Sequence, residues 1–120
     1  MRFAVLSAVF LLTAVEASQS ASEGDFQLQT AGELANLCAS TTDAAAIHMC
    51  QGYLVGVHHM HQAVSEAADR RVYCVPEDGS VTRDSAASAY VGWVGANPAM
   101  ASMSAREGLL EFARQTYPCQ

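Results

Sequence analysis

The stretch TAGELANLCASTTDAAAIHMC, residues 30–50, decides the fold of this chain. It opens with Thr30 and Glu33, which have the spacing of a capping box. In that motif the two side chains accept hydrogen bonds from N–H groups that the first turn of a helix leaves free. Leu34 and Leu37 then lie on one apolar face. The stretch therefore begins with a short amphipathic helix that ends near its first cysteine.

A second and much longer helix is predicted after the polar interruption STTD. Thr42 or Asp43 supplies its N-cap, because a short polar side chain there accepts a hydrogen bond from the first turn. The helix reaches about Ala68. The loop that follows contains the helix breakers Pro76 and Gly79.

Two further helices complete the prediction. The third covers about residues 82–96 and ends before Pro98, because the residue in front of a proline disfavours helical geometry. The fourth begins near residues 102–104, at a second capping-box spacing, and ends before Pro118. No stretch shows the sustained alternation of a strand. The predicted fold is all-α, a small four-helix bundle.

The four cysteines are predicted to form two disulfides. No two of them have the C-x-x-C spacing of a metal site. In a bundle with short connections, Cys38 and Cys50 lie at one end, and Cys74 and Cys119 lie at the other. Other pairings would need bonds along the length of the bundle, which disulfide geometry forbids. The predicted pairs are therefore Cys38–Cys50 and Cys74–Cys119.

The N-terminal segment has the features of an export signal. Residues 1–17 contain an early arginine, an apolar run and small residues in the pattern that signal peptidase cleaves. A retained N-terminal anchor is the alternative. Residues 18–29 are polar and are predicted to form a flexible leader before a helical domain at 30–120. No later apolar segment is long enough to cross a membrane, so a periplasmic location after cleavage is expected.

The charge of the chain bears on its partners. The net charge is −6, all six basic residues are arginine, and removal of residues 1–17 leaves the net charge unchanged. Such a surface argues against nucleic acid or anionic lipid as a partner. It is compatible with a basic protein partner.

The long helix carries two stripes at helical spacing. The first is a predicted core seam that contains His61; its members are Ile47, Cys50, Leu54, Val57, His61, Val64 and Ala68. The second is made of small residues and includes Gly52 and Gly56. Glycine inside a helix costs up to about 1 kcal/mol relative to alanine, so two of them indicate close packing of another backbone. We predict that Gly52, Tyr53 and Gly56 pack against a helix of the same chain, with a homodimer interface as the alternative.

The histidine-rich part of this helix raises the question of metal binding. His58 and His61 are three residues apart and have a spacing that suits one shared ion, but they need a third ligand from elsewhere, and no H-E-x-x-H motif is present. His59 lies on the stripe of small residues, whereas His58 lies on the predicted solvated face and His48 lies near the edge of that face. No metal or other cofactor is expected, and a periplasmic metal-binding protein that uses His58 and His61 is kept as an alternative function.

Motifs of the common enzyme classes are missing. The sequence has no nucleophile elbow, P-loop or dinucleotide fingerprint. A binding protein without catalytic residues is therefore expected. A small acid-activated chaperone is a further alternative, because the four histidines gain charge as the pH falls through about 6.5.

The order of short motifs resembles that of the Rap/Tai family, small exported bacterial proteins that include immunity proteins of type VI secretion. The motifs are GELANLC, CQGYLVGV, YCVPEDGSVT, a helix that ends in NPAM, and a terminal YPC. The resemblance covers about residues 32–119. Its most specific residues are Cys50, Gly52, Tyr53, Gly56, Cys74, Val75 and Pro76.

The resemblance implies an all-helical periplasmic protein that binds a cell-wall amidase toxin and neutralises it by occluding its cleft. It also implies a protein without an active site that commonly acts as a dimer. This chain departs from the family pattern in its histidine run and in Gly92-Trp93 of the third helix. The matched residues are mostly structural, so the resemblance does not identify the surface that contacts a toxin.

Overall fold

The computed structural model describes residues 21–120, and the predicted signal peptide lies outside them. Four α-helices follow one another: α1 (Ala31–Ala39), α2 (Ala44–Ala68), α3 (Arg83–Ala96) and α4 (Ala105–Thr116). Two 3-10 helices, Glu23–Gln27 and Pro98–Ser102, precede α1 and α4. Residues 21–120 contain no β-strand, so the all-α class is confirmed. None of the helices described in this range is long and apolar enough to span a membrane.

Each helix begins at the polar residue that its sequence predicts. The Thr30 hydroxyl accepts a hydrogen bond from the Glu33 N–H, and the Glu33 carboxylate accepts one from the Thr30 N–H. The Asp43 carboxylate caps α2 by accepting from the N–H groups of its second and third residues. Thr82 caps α3, and Ser104 caps α4 by accepting from the Glu107 N–H. These caps satisfy donors that would otherwise remain unpaired at the helix starts.

The shortest α-helix lies at the centre of the molecule. Helix α1 packs against α2, α3 and α4, and against both 3-10 helices. Ala31, Leu34 and Leu37 on α1 are completely buried. Leu34 belongs to a core cluster with residues of α3 and α4, whereas Leu37 belongs to a second cluster with α2. The nine residues of α1 thus form the centre against which the other helices of the domain pack.

The path of the helices differs from a simple up-and-down bundle. Backbone hydrogen bonds join the starts of α1 and α4: the Ala31 N–H donates to the Met103 carbonyl, and the Ala105 N–H donates to the Gln29 carbonyl. These two helices therefore begin side by side and not at opposite ends. The reason is the long connection between α2 and α3, which lets α3 begin beside the early turns of α2, where Gln51 donates to Asp84.

Both predicted disulfides are confirmed. Cys38 bonds to Cys50 and Cys74 bonds to Cys119, with Cα–Cα distances of 5.1 and 4.9 Å. The first bond joins the end of α1 to the second turn of α2. The second joins the loop after α2 to the C-terminal residues, and the Cys74 N–H also donates to the Tyr117 carbonyl. The first bond thus fixes the start of α2, and the second fixes the loop that follows it.

Part of the segment predicted as a flexible leader is folded. Residues Glu23–Gln27 form a 3-10 helix that packs on α1. Asp25 in this helix is buried, and its carboxylate accepts hydrogen bonds from the Ser22 N–H, the Ser22 hydroxyl and the Asn36 amide. The helical domain therefore includes residues before Thr30, because Asn36 on α1 supplies a partner that the local sequence does not show.

Candidate functional site

An apolar groove of about 360 Å³ lies between α2, the loop after it and α4. Its apolar lining consists of Leu54, Val55, Val57, Tyr73, Val75, Pro76, Val81, Ala86, Leu109, Phe112, Ala113 and Tyr117. The volume falls in the lower part of the range that holds small ligands or a few side chains of a partner. The groove is a candidate binding feature because it is concave and lined mainly by apolar atoms.

The floor of the groove belongs to the hydrophobic core. Tyr73, Leu109 and Phe112 are all buried, and the rings of Phe112 and Tyr117 meet edge to face at 6.0 Å. The mouth carries charges of both signs, from Glu77 in the loop and Arg83 at the start of α3. The groove thus has a well-packed apolar base and a polar rim, as protein-binding pockets commonly do.

His58 forms part of the wall, although its helical position predicts the solvated face. Its Nδ1 lies 3.4 Å from the Tyr73 hydroxyl. Burial lowers the pKa of His58, and the neighbouring His59 and His61 lower it further, whereas Glu77 acts in the opposite direction. Burial also raises the pKa of Tyr73 to about 12. At neutral pH the wall therefore presents an uncharged imidazole and an uncharged phenol.

His61 lies behind this wall, and its ring is held by contacts with neighbouring residues of the same chain. Its ring stacks on Tyr73 with a centroid distance of 3.9 Å, and its Nε2 accepts a hydrogen bond from the Val72 N–H. The Ser65 hydroxyl lies 3.2 Å from the same nitrogen. Burial lowers the pKa of His61, and the positive charge of Arg71 adds to this effect.

These contacts of His61 bear on the alternative prediction that His58 and His61 bind a metal ion. Because the Val72 N–H donates to the His61 Nε2, the lone pair of that nitrogen is not free for an ion in this conformation. Across residues 21–120, no group of three His, Cys, Asp or Glu side chains is arranged to hold a metal. His48 and His59 are exposed and lie apart from the groove wall. The rings of His58 and His61 both lie against Tyr73, and no side chain of residues 21–120 completes a set of three ligands with them.

The glycines of α2 have a different environment from the one predicted. Gly52 and Gly56 are exposed, and a Cβ at either position would meet no atom within 4 Å among the described residues. The prediction that they pack against another helix of the same chain is therefore wrong. Tyr53 does pack against the core. Met60 is 64% exposed, so this face of α2 also carries a large solvent-exposed apolar side chain.

The predicted core seam of α2 is also only partly buried. Cys50 is buried, and Leu54 and Val57 pack against the core. Val64 is 57% exposed, and Ala68 is exposed as well. The last turns of α2 therefore extend beyond the helices that cover its first half.

Sequence reasoning missed most residues of the groove. It recognised the segment around Pro76 only as a loop, whereas Tyr73 and Val75 of that loop pack against the core. A signal was present in the run VYCVP, since apolar residues on both sides of a disulfide cysteine favour a buried loop. Leu109 and Phe112 of α4 were not singled out.

Comparison with known proteins places the chain in a family. The family model described as Rap1a immunity proteins matches residues 30–119, which include all four α-helices and both disulfides. Searches of curated proteins and of solved structures gave no significant match. Immunity proteins bind a toxin as their partner and are generally binding proteins without catalytic activity. The two disulfides fit an extracellular or periplasmic location. The chain belongs to the Rap1a immunity protein family.

Proposed function

We propose that this protein is exported to the periplasm, binds a peptidoglycan amidase toxin delivered by type VI secretion, and neutralises it by occluding its cleft. The observation that carries the proposal is the family match across residues 30–119. The export signal predicted at residues 1–17 and the two disulfides support the periplasmic location. To occlude the toxin's cleft, this chain needs an apolar surface of complementary shape, but it needs no catalytic group.

The apolar groove beside α2 is the proposed contact surface. Most of the energy of a protein interface comes from a few side chains that insert into well-packed, water-free pockets. The groove supplies such a pocket, because its floor is the buried core around Phe112. Its wall is held on one side by α2 and on the other by the Cys74–Cys119 disulfide. A pocket that is already formed loses little conformational entropy when the partner binds.

The direct test is binding of the oxidised protein to a candidate peptidoglycan amidase, such as one encoded beside its gene. We expect a saturable complex in calorimetry and loss of amidase activity on purified peptidoglycan in proportion to the complex formed. If the unmodified protein neither binds nor inhibits that amidase, the proposed function is incorrect.

Two arginine substitutions on α2, one inside the groove and one outside it, test whether the groove is the contact surface. Val55 lines the groove, whereas Val64 is exposed on α2 and does not line it. Val55→Arg introduces a charge that an apolar partner must desolvate, so we expect binding to weaken by at least tenfold. Val64→Arg should bind like the unmodified protein. Equal affinity of both variants would show that the toxin uses another surface.

A homodimer through the glycine face of α2 is the proposed assembly. Gly52 and Gly56 leave the helix backbone bare on a face that no other described part of the chain covers. Two such faces approach closely, because no Cβ separates the backbones. Light scattering after size exclusion tests this assembly: Gly56→Arg should convert a dimer into a monomer and leave the helix content unchanged. A monomer in the unmodified protein would rule out the dimer but not the inhibitory function.

A further inference from the structure

The chain reverses direction immediately after α2, at a corner formed by residues 69–73. Asp69 adopts the left-handed conformation with a φ of 49°, and the Arg70 N–H donates to the Ser65 carbonyl. The Val72 N–H then points back to α2 and donates to the His61 Nε2 at 3.1 Å. Tyr73 follows and forms part of the groove. The corner thus connects the end of the long helix to the wall of the proposed contact surface.

The hydrogen bond from Val72 determines the protonation state of His61. A backbone N–H can only donate, so the His61 Nε2 must carry a lone pair, and the ring proton lies on Nδ1. The Ser65 hydroxyl beside the same nitrogen is free to rotate and donate as well. If Nε2 gains a proton, its N–H faces the Val72 N–H, and two donors oppose each other. The observed corner therefore requires a neutral His61.

His58 depends on the same corner. Its Nδ1 faces the Tyr73 hydroxyl, and the Tyr73 ring also stacks on His61. The charged and titratable groups around His58 are its two histidine neighbours on α2, Tyr73 and Glu77 from the loop, Arg83 from α3 and Tyr117 after α4. Around His61 they are His58 on α2 and Arg71 and Tyr73 from the loop. Arg71 opposes a positive charge on His61, and Glu77 favours a charge on His58.

We propose that His58, His61, Val72 and Tyr73 form an acid-sensitive corner that closes the groove wall at neutral pH and opens it on acidification. Protonated His61 releases the Val72 N–H, and the stacked Tyr73 loses its support. The opening is confined to residues 69–73, because the next residue, Cys74, is held by its disulfide and by its hydrogen bond to the Tyr117 carbonyl. The opening of the corner changes the shape of the groove, and it does not depend on which partner binds there.

The direction of the pH effect follows from proton binding. In the closed corner the pKa values of His58 and His61 lie below the ordinary value of 6.5. In the open corner both side chains are solvated and return to about 6.5. The open form therefore binds more protons once the pH falls below about 6.5, and acid favours opening. Each such histidine multiplies the opening equilibrium by up to about tenfold per pH unit, until the pH reaches the lowered pKa.

Hydrogen exchange of the Val72 amide in the full-length protein after signal removal tests the proposal. Rates measured by NMR at pH 7.5 and pH 5.5 are corrected for the intrinsic pH dependence of exchange. We expect the protection of Val72 to fall severalfold at the lower pH. The Cys74 amide serves as an internal reference and should keep its protection. Unchanged protection of Val72, or an equal loss at Cys74, would overturn the local corner.

His61→Gln and His48→Gln separate the titration of His61 from general effects on α2. The glutamine at position 61 has an amide oxygen and no charge at either pH, so the pH dependence of Val72 protection should shrink. His48 is exposed on the same helix, thirteen residues before His61, so His48→Gln should behave like the unmodified protein. A variant at position 61 that retains the full pH dependence would contradict the proposal.

Ring ¹⁵N spectra of the unmodified protein give an answer that requires no substitution. Above pH 7 the His61 Nε2 should show the signal of an unprotonated nitrogen, and this signal should change together with the Val72 amide as the pH falls. A protonated His61 Nε2 at pH 7.5 would refute the assigned hydrogen bond.

Discussion

Gly108 of α4 lies against Ala31 of α1 so closely that a Cβ on Gly108 would be 2.6 Å from the Ala31 Cβ. The Tyr90 hydroxyl of α3 would lie 3.5 Å from the same added atom, and it donates a hydrogen bond to the Ala31 carbonyl. Three helices therefore meet at one buried point, and each of them approaches the start of α1.

Gly108→Ala should destabilise the protein, because the added methyl group has no space between α1 and α4. Overpacking of this kind costs about 1–3 kcal/mol, which outweighs the better helix propensity of alanine. Gly92→Ala on α3 is the matched control, since a Cβ there meets nothing within 4 Å in the described part of the chain. It should raise stability by up to about 1 kcal/mol. Urea unfolding measures both; a neutral Gly108→Ala would mean that the two helices separate easily.

Tyr90→Phe should lower the free energy of unfolding by about 1 kcal/mol, the usual contribution of one buried hydrogen bond. Tyr90 is completely buried, and its hydroxyl donates to the Ala31 carbonyl at 3.1 Å. The ring contacts with Trp93 and Phe112 should survive the change. Circular dichroism during urea unfolding gives the difference, and an unchanged midpoint would show that the hydrogen bond contributes nothing net.

Removal of each disulfide as a Cys→Ala pair should affect stability to different degrees. The Cys74–Cys119 bond closes a loop with a sequence separation of 45, and the chain-entropy model assigns it about 4 kcal/mol. Cys38–Cys50, with a separation of 12, is assigned about 3 kcal/mol. Thermal unfolding of the two variants, each of which lacks one disulfide, shows which bond contributes more to stability. The reverse order would show that native contacts around Cys50, which is buried, outweigh the loop entropy.

Asp25→Asn should destabilise the segment before α1 at neutral pH and make little difference in strong acid. Burial by itself would raise the pKa of Asp25, but hydrogen bonds from Asn36 and Ser22 outweigh it and hold that pKa below its ordinary value. A carboxyl with a lowered pKa stabilises the fold above its unfolded value near 3.8, and this contribution is lost as the pH falls through the folded value. The loss of charged hydrogen bonds should cost about 1–2 kcal/mol at pH 7.

Unfolding of the Asp25 variant is best measured at pH 7 and at pH 2, with Glu23→Gln as the control from the same 3-10 helix. Glu23 is exposed and should tolerate the change at both values. An equal loss of stability at pH 7 and pH 2 for Asp25→Asn would show that the ionised carboxylate is not the source of the effect.

Helix boundaries were predictable because they depend on neighbouring residues. Thr30, Asp43 and Thr82 cap helices through side chains that act over two or three positions. The disulfide pairing was predicted correctly, but from a simple up-and-down path that the structure does not have. The loop after α2 instead returns along that helix and brings Cys74 beside Tyr117. The shared start of α1 and α4 was not, because it rests on backbone hydrogen bonds between Gln29 and Ala105, which no side chain indicates.

The site was less predictable than the fold. Helical spacing placed His58 on the solvated face, but the loop after α2 returns and covers that side with Tyr73. The same spacing identified the stripe of small residues, yet it did not reveal that Gly52 and Gly56 lack a packing partner among residues 21–120. Periodicity identifies faces of a helix, whereas the loops and later helices decide which face is covered.

The central position of α1 has a consequence for how the molecule is made. Its nine residues contact elements that lie more than seventy positions later in the chain, such as Gly108 against Ala31. A polypeptide that emerges from its N-terminus first therefore has α1 long before it has the residues that bury it. Contacts of such high sequence separation form slowly. The residues of α1 are therefore fully buried only after α4 has been synthesised and can pack against them.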